Sequence, residues 1–146
     1  MTWNQVREMD ASPYIEVGAH TDTHSILSEL GDSAAVEEIS RSKKELQAQL
    51  GREIDLFAYP NGQGWDISTA ALKAVCNLGF LGACSTFCRT TQKPAERYLI
   101  NRVIVSGLDN VETLRLKLAG NYDYVYFFQR SKALIDWSIQ RRGIWN

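Results

Sequence analysis

Cysteine, excess charge and long apolar runs are all scarce in this chain of 146 residues. Its three cysteines, Cys76, Cys84 and Cys88, cannot all pair within one molecule, which argues against a disulfide framework and favours reduced thiols buried among apolar neighbours. Cys84 and Cys88 have a loosely ligand-like spacing, yet no second cysteine or histidine pair stands nearby to complete a zinc site. Lysine and arginine total 16 against 17 acidic residues, so no bulk charge points to nucleic acid or to an acidic membrane. Arg130, Lys132, Arg141 and Arg142 are interleaved with Asp123 and Asp136, the pattern of a solvated helix face rather than a nucleic-acid interface. No window approaches the roughly 20 apolar residues a membrane span needs, and the first eight residues hold no apolar signal core.

What is present reads as one domain with an alternation of strands and helices. A chain near this length buries roughly 70% of its unfolded surface, enough for a core. Residues 3–9 suggest a short amphipathic helix broken by Pro13, and residues 14–18 a strand. From a cap at Asp32 or Ser33, Val36, Ile39, Leu46 and Leu50 recur at helical steps, interrupted by Lys43, until Gly51. A second strand over 54–59 runs into a proline–glycine loop at 60–64. A helix capped near Asp66 or Ser68 carries Ala71, Leu72, Val75 and Leu78 inward and stops at Gly79. Strands are expected at 80–85 and 98–105. Asn110 caps a helix presenting Val111, Leu114 and Leu118, and an aromatic-rich helix is expected within 121–146. No linker or repeat divides the chain. Such alternation argues for a parallel α/β architecture, barrel or open sheet, with its sites at the carboxyl ends of the strands.

Only two histidines occur, His20 and His24, four residues apart behind the first expected strand. Two imidazoles at this spacing can converge on one ion. The alternative is a pair of histidines satisfied by ordinary contacts that binds nothing. Asp22 lies between them, but two positions along from His20 it would point away on a strand or helix. Tyr59, Trp65 and Phe57 read equally as packing or as the lining of a groove.

The phrase Ile15-Glu16-Val17-Gly18-Ala19-His20-Thr21-Asp22-Thr23-His24-Ser25 is followed by Leu46-Gln47-Ala48-Gln49-Leu50-Gly51-Arg52. Then come Phe57-Ala58-Tyr59-Pro60-Asn61-Gly62, Leu78-Gly79-Phe80 and Asn101-Arg102-Val103. In wording and order this resembles the polysaccharide deacetylases, the carbohydrate esterases with a chitooligosaccharide deacetylase homology domain, over about residues 3–105. The resemblance implies a distorted (β/α) barrel and metal-dependent hydrolysis of N-acetyl or O-acetyl groups on a glycan. It implies a divalent ion, often zinc, held by His20, His24 and an aspartate, with Thr21 and Ser25 orienting the loop. The loop Tyr59, Pro60, Asn61, Gly62 would line the substrate groove, the backbone N–H of Asn61 helping to hold the oxyanion.

Two features of the family pattern are missing. The metal-ligand and base aspartates normally come from a Thr-Phe-Asp-Asp-Gly phrase on an earlier strand, and before His20 only Asp10 stands, alone. No third histidine serves as general acid, and Ala58 replaces an arginine common in the family. The expectation is therefore an incomplete (β/α) barrel whose first strand–helix units are missing, poorly active unless a segment supplies the aspartates, and with a sheet edge open to self-association. Otherwise the chain is a non-catalytic remnant retaining weak metal or glycan binding. Family members often act at the cell envelope, but the chain itself carries no signal for it.

Overall fold

The computed structural model describes residues 1–129; the basic cluster from Arg130 onward and most of the expected carboxyl-terminal helix lie outside the described residues. Helix α1 (Trp3–Asp10) starts where the Thr2 hydroxyl accepts the Gln5 N–H while the Gln5 side chain returns to the Thr2 N–H. Helix α2 (Asp32–Leu50) is capped by Gly31 rather than by a side chain, with Asp32 in its first turn to complement the dipole. It ends as expected at Gly51, in the left-handed conformation with φ 67°. Strand β1 (Leu56–Ala58), helix α3 (Thr69–Asn77), strand β2 (Gly82–Cys84) and helix α4 (Val111–Leu118) follow. Ser68 caps α3 through the Ala71 N–H, and Asn110 caps α4 through the Thr113 N–H. Residues 124–129 are again helical.

The strands β1 and β2 pair in parallel, Phe57 opposite Ala83. Single parallel bridges extend this ladder on both sides, Ala19 to Phe57 and Cys84 to Ile100. Four segments therefore lie side by side in chain order, all parallel, with α2 and α3 as crossovers. The α/β reading holds, but residues 14–18 form no strand, the one bridge falling just beyond them at Ala19, and the strand expected at 98–105 shrinks to one bridge at Ile100. Tyr14 is 94% exposed and Val105 62% exposed, so neither end has a sheet neighbour or a core to hold it extended.

The core gathers Leu27, Ile39, Ile54, Phe57, Val75 and Phe80 between the helices and the ladder. Lys43, expected to break the apolar stripe of α2, is itself buried, whereas Val36 is turned outward. Lys43 keeps its stem out of water, and its ammonium donates to the Leu78 carbonyl at 2.8 Å, 4.5 Å from the centre of the Phe80 ring. On α4, Val111 and Leu118 are exposed rather than inward. Cys76 is exposed too, because it follows Val75 on the outer side of α3; Cys84 and Cys88 are half-buried, and all three thiols are free. Among the described residues, no helix is long and apolar enough to cross a membrane.

Asp10, which the sequence leaves isolated, is held by Arg52 from beyond the end of α2: the guanidinium Nε lies 3.0 and 3.1 Å from its two carboxylate oxygens. Arg52 also donates to the Glu53 carbonyl and pairs with Glu16, so one side chain fastens α1 and the approach to His20 onto α2. The hydrogen bond from Arg52 holds the Asp10 carboxyl below the usual carboxylate range.

Candidate metal and oxyanion site

His20 and His24 sit where the first ladder segment ends. Ala19 donates its N–H to the Leu56 carbonyl and accepts from the Ala58 N–H, placing His20 at the carboxyl edge of the ladder. Its ring Nδ1 lies 2.7 Å from the Ala58 carbonyl oxygen. A carbonyl only accepts, so Nδ1 carries a proton in this contact, and Nε2 is the ring nitrogen left for a ligand bond. The two rings meet edge to face with centroids 4.8 Å apart, and both residues are exposed.

The chain reverses between them through two strained residues, Thr21 with φ 63° and His24 with φ 61°. The Thr21 hydroxyl is buried and has no hydrogen-bond partner among the described residues. The loop is instead bound by Thr23, which the sequence did not single out. Its N–H and hydroxyl both donate to Glu38 on α2, and its oxygen lies 2.7 Å from the Ser25 hydroxyl. Asp22 turns away from the rings and pairs with Arg41 at 3.2 Å.

Next along the edge comes the loop after β1. Tyr59 and Pro60, expected to line a groove, are buried in the core, and burial pushes the Tyr59 hydroxyl well above its ordinary pKa while it donates to the Tyr98 carbonyl. Phe57 resolves as packing, with its ring 5.1 Å from Tyr59 and 5.4 Å from Phe80. Gly62 is buried as well, and of the four loop residues only Asn61 is exposed. Asn61 adopts φ 54° and Gly62 φ 71°. The Asn61 carbonyl accepts from the Thr86 hydroxyl at 2.6 Å and Gly62 accepts from the Thr86 N–H at 2.8 Å, so the segment beyond β2 fixes the loop. The Asn61 N–H has no acceptor among the described residues and remains available. Below it, Asp66 accepts the Gln63 N–H, and burial raises its carboxyl above the ordinary range.

A divalent ion fits the donors present: two imidazoles in contact, one anchored through Nδ1 by a backbone carbonyl, next to a buried hydroxyl lacking a partner among the described residues. Among the described residues no group of three or more His, Cys, Asp or Glu converges, so His20 and His24 could fill at most two positions of such a site.

The family model described as polysaccharide deacetylase matches residues 1–83. No curated protein sequence matches the chain. Among solved structures, the Streptococcus pyogenes deacetylase PplD in complex with acetate aligns with a TM-score of 0.73 at 21% identity, over 81% of this chain and 50% of that one. A de-N-acetylase from Aggregatibacter actinomycetemcomitans aligns at 0.67 and 23% identity, over 81% of this chain and 53% of that one. IcaB from Ammonifex degensii aligns at 0.60 and 27% identity, over 73% of this chain and 48% of that one. The chain thus spans about half the length of these three structures.

Proposed function

Given that the chain belongs to the polysaccharide deacetylase family, we propose that it serves the hydrolytic removal of acetyl groups from N-acetyl, or O-acetyl, sugars of a glycan, with His20 and His24 holding a divalent ion, zinc by preference. The observation that carries this reading is the pair of touching, solvent-facing imidazoles at the end of the first ladder segment. When bound, such an ion acts as a Lewis acid on the acetyl carbonyl and makes water a usable nucleophile near neutral pH.

The chain's own residues do the rest of what is available here. His20, with its proton on Nδ1, offers Nε2 as a ligand whose direction the Ala58 carbonyl fixes. The free N–H of Asn61 donates to the oxygen that becomes negative as water attacks. Tyr59, Pro60 and Gly62 act from beneath, holding Asn61 in its left-handed conformation without touching the sugar through their own side chains. The third ligand and the base are carboxylates from outside the described residues, supplied by an amino-terminal segment that completes a (β/α) barrel; the sequential parallel order of the four ladder segments supports that winding. A non-catalytic module with weak metal or glycan binding is the second reading, favoured by the absence of any third ligand among the described residues.

The test is acetate release from acetylated chitooligosaccharides with zinc, by the chain alone and mixed with an amino-terminal deacetylase segment bearing the paired aspartates. Release in the mixture that His20→Ala abolishes is the expected result. Release that survives His20→Ala defeats the metal mechanism, and no release in either condition, with zinc still bound, selects the binding module.

A further inference from the structure

Building on the reading of His20 and His24 as metal ligands, we propose that Glu38 is a positioning residue for the pair, its carboxylate holding the backbone between the two histidines so that their rings converge. Glu38 lies in the second turn of α2, and both of its oxygens are engaged by this one loop. Oε2 accepts the N–H of Asp22 at 3.1 Å and of Thr23 at 2.9 Å, and Oε1 accepts the Thr23 hydroxyl at 3.0 Å. With its oxygens taken up by loop donors, the carboxylate works as an acceptor for the loop and not as a ligand. Three bonds to an ionised acceptor are strong ones.

The loop needs such a restraint. Thr21 and His24, its entry and exit, both have positive φ, a conformation that costs energy for residues other than glycine and persists only where the surroundings impose it. The His20 ring has its own anchor in the Ala58 carbonyl. The His24 ring has no hydrogen bond among the described residues and meets the His20 ring edge to face, so the backbone, which places its Cα–Cβ bond, is what the protein holds of it. That backbone is what Glu38 grips. Arg41, one turn further along α2, adds a pair to Asp22, but its side chain is 61% exposed and so contributes little.

Glutamine separates geometry from charge. Its carbonyl oxygen can take both backbone N–H groups, and its NH2 can donate to the Thr23 hydroxyl, so Glu38→Gln preserves the grip without the negative charge. The experiment uses the whole chain, with Glu38→Ala, Glu38→Gln and, as a control on the same helix, Glu45→Ala. Two readouts are taken: the nuclear Overhauser contact between the His20 and His24 ring protons without metal, and zinc affinity by competition with a chelating dye. Backbone amide spectra check that each variant is folded.

Glu38→Ala is expected to lose the ring-to-ring contact and to weaken zinc binding about ten- to a hundredfold, with both restored in Glu38→Gln and unchanged in Glu45→Ala. Retention of contact and affinity in folded Glu38→Ala overturns the proposal, as does a Glu38→Gln that fails as Glu38→Ala does. Should the unsubstituted chain bind no zinc, the metal reading falls separately. The ring contact, lost in alanine and kept in glutamine, then still upholds the clamp.

Discussion

His20 and Ala58, 38 positions apart in sequence, meet at 2.7 Å between a ring nitrogen and a backbone carbonyl, and that contact ties the histidine loop to the ladder segment that carries the loop from Tyr59 to Gly62. His24 has no such tie among the described residues and sits in a left-handed backbone conformation.

This asymmetry makes His24→Gly informative. Removing the ring deletes a proposed ligand, while glycine relieves a backbone strain of about 1 kcal/mol. The variant is expected to be as stable as the unsubstituted chain or slightly more so in urea denaturation, and to lose zinc binding in equilibrium dialysis. His20→Ala should also lose zinc, but with stability reduced by about 1 kcal/mol for the lost hydrogen bond.

Gly62 is expected to tolerate no side chain. An added Cβ would lie 3.1 Å from the Thr86 nitrogen and from the Tyr59 carbonyl oxygen, at φ 71°. Gly62→Ala should cost about 1–3 kcal/mol of stability. It should also displace the Asn61 amide resonance, visible in a two-dimensional amide spectrum.

Two aspartates should titrate in opposite directions. Asp10, lowered by the Arg52 hydrogen bond, contributes stability above the ordinary carboxylate range that is lost as pH falls through its depressed value. Asp66, raised by burial, contributes most below that range and loses its contribution as pH rises through its elevated value. In denaturation midpoints taken across the acid range, the advantage of the unsubstituted chain over Asp10→Asn should shrink toward low pH. Its standing against Asp66→Asn should worsen as pH rises.

Lys43→Ala is expected to destabilise by about 2–3 kcal/mol, since it opens a cavity and strips the Leu78 carbonyl of its donor. Lys43→Met should recover the part due to packing. Equal losses in the two variants would assign the whole effect to the hydrogen bond.

What the sequence made legible followed from local rules. The glycine stop of α2 and the caps Ser68 and Asn110 are encoded within a few residues, and they appear where the pattern predicts. The juxtaposed histidines were legible for the same reason. The outer strands were not, because whether residues 14–18 or 98–105 extend into strands depends on neighbours far away in sequence. Nor were Glu38 and Thr23 legible, since a carboxylate on an exposed-looking turn of α2 acquires its role only when the helix folds back across the loop. Lys43 was misread as an interruption because helical periodicity sees its charge and not its long apolar stem. Asp10 looked isolated because its partner Arg52 lies 42 positions downstream.

The peptide units of Ala58 do two jobs at once: its N–H bonds Ala19 in the ladder and its carbonyl receives the His20 ring. A slip of one residue in that pairing would present a different carbonyl and leave the imidazole unanchored. The ring-proton resonances of His20 therefore report on assembly as well as chemistry, a built-in spectroscopic witness with which correctly registered molecules can be told from misfolded ones in any preparation of this chain.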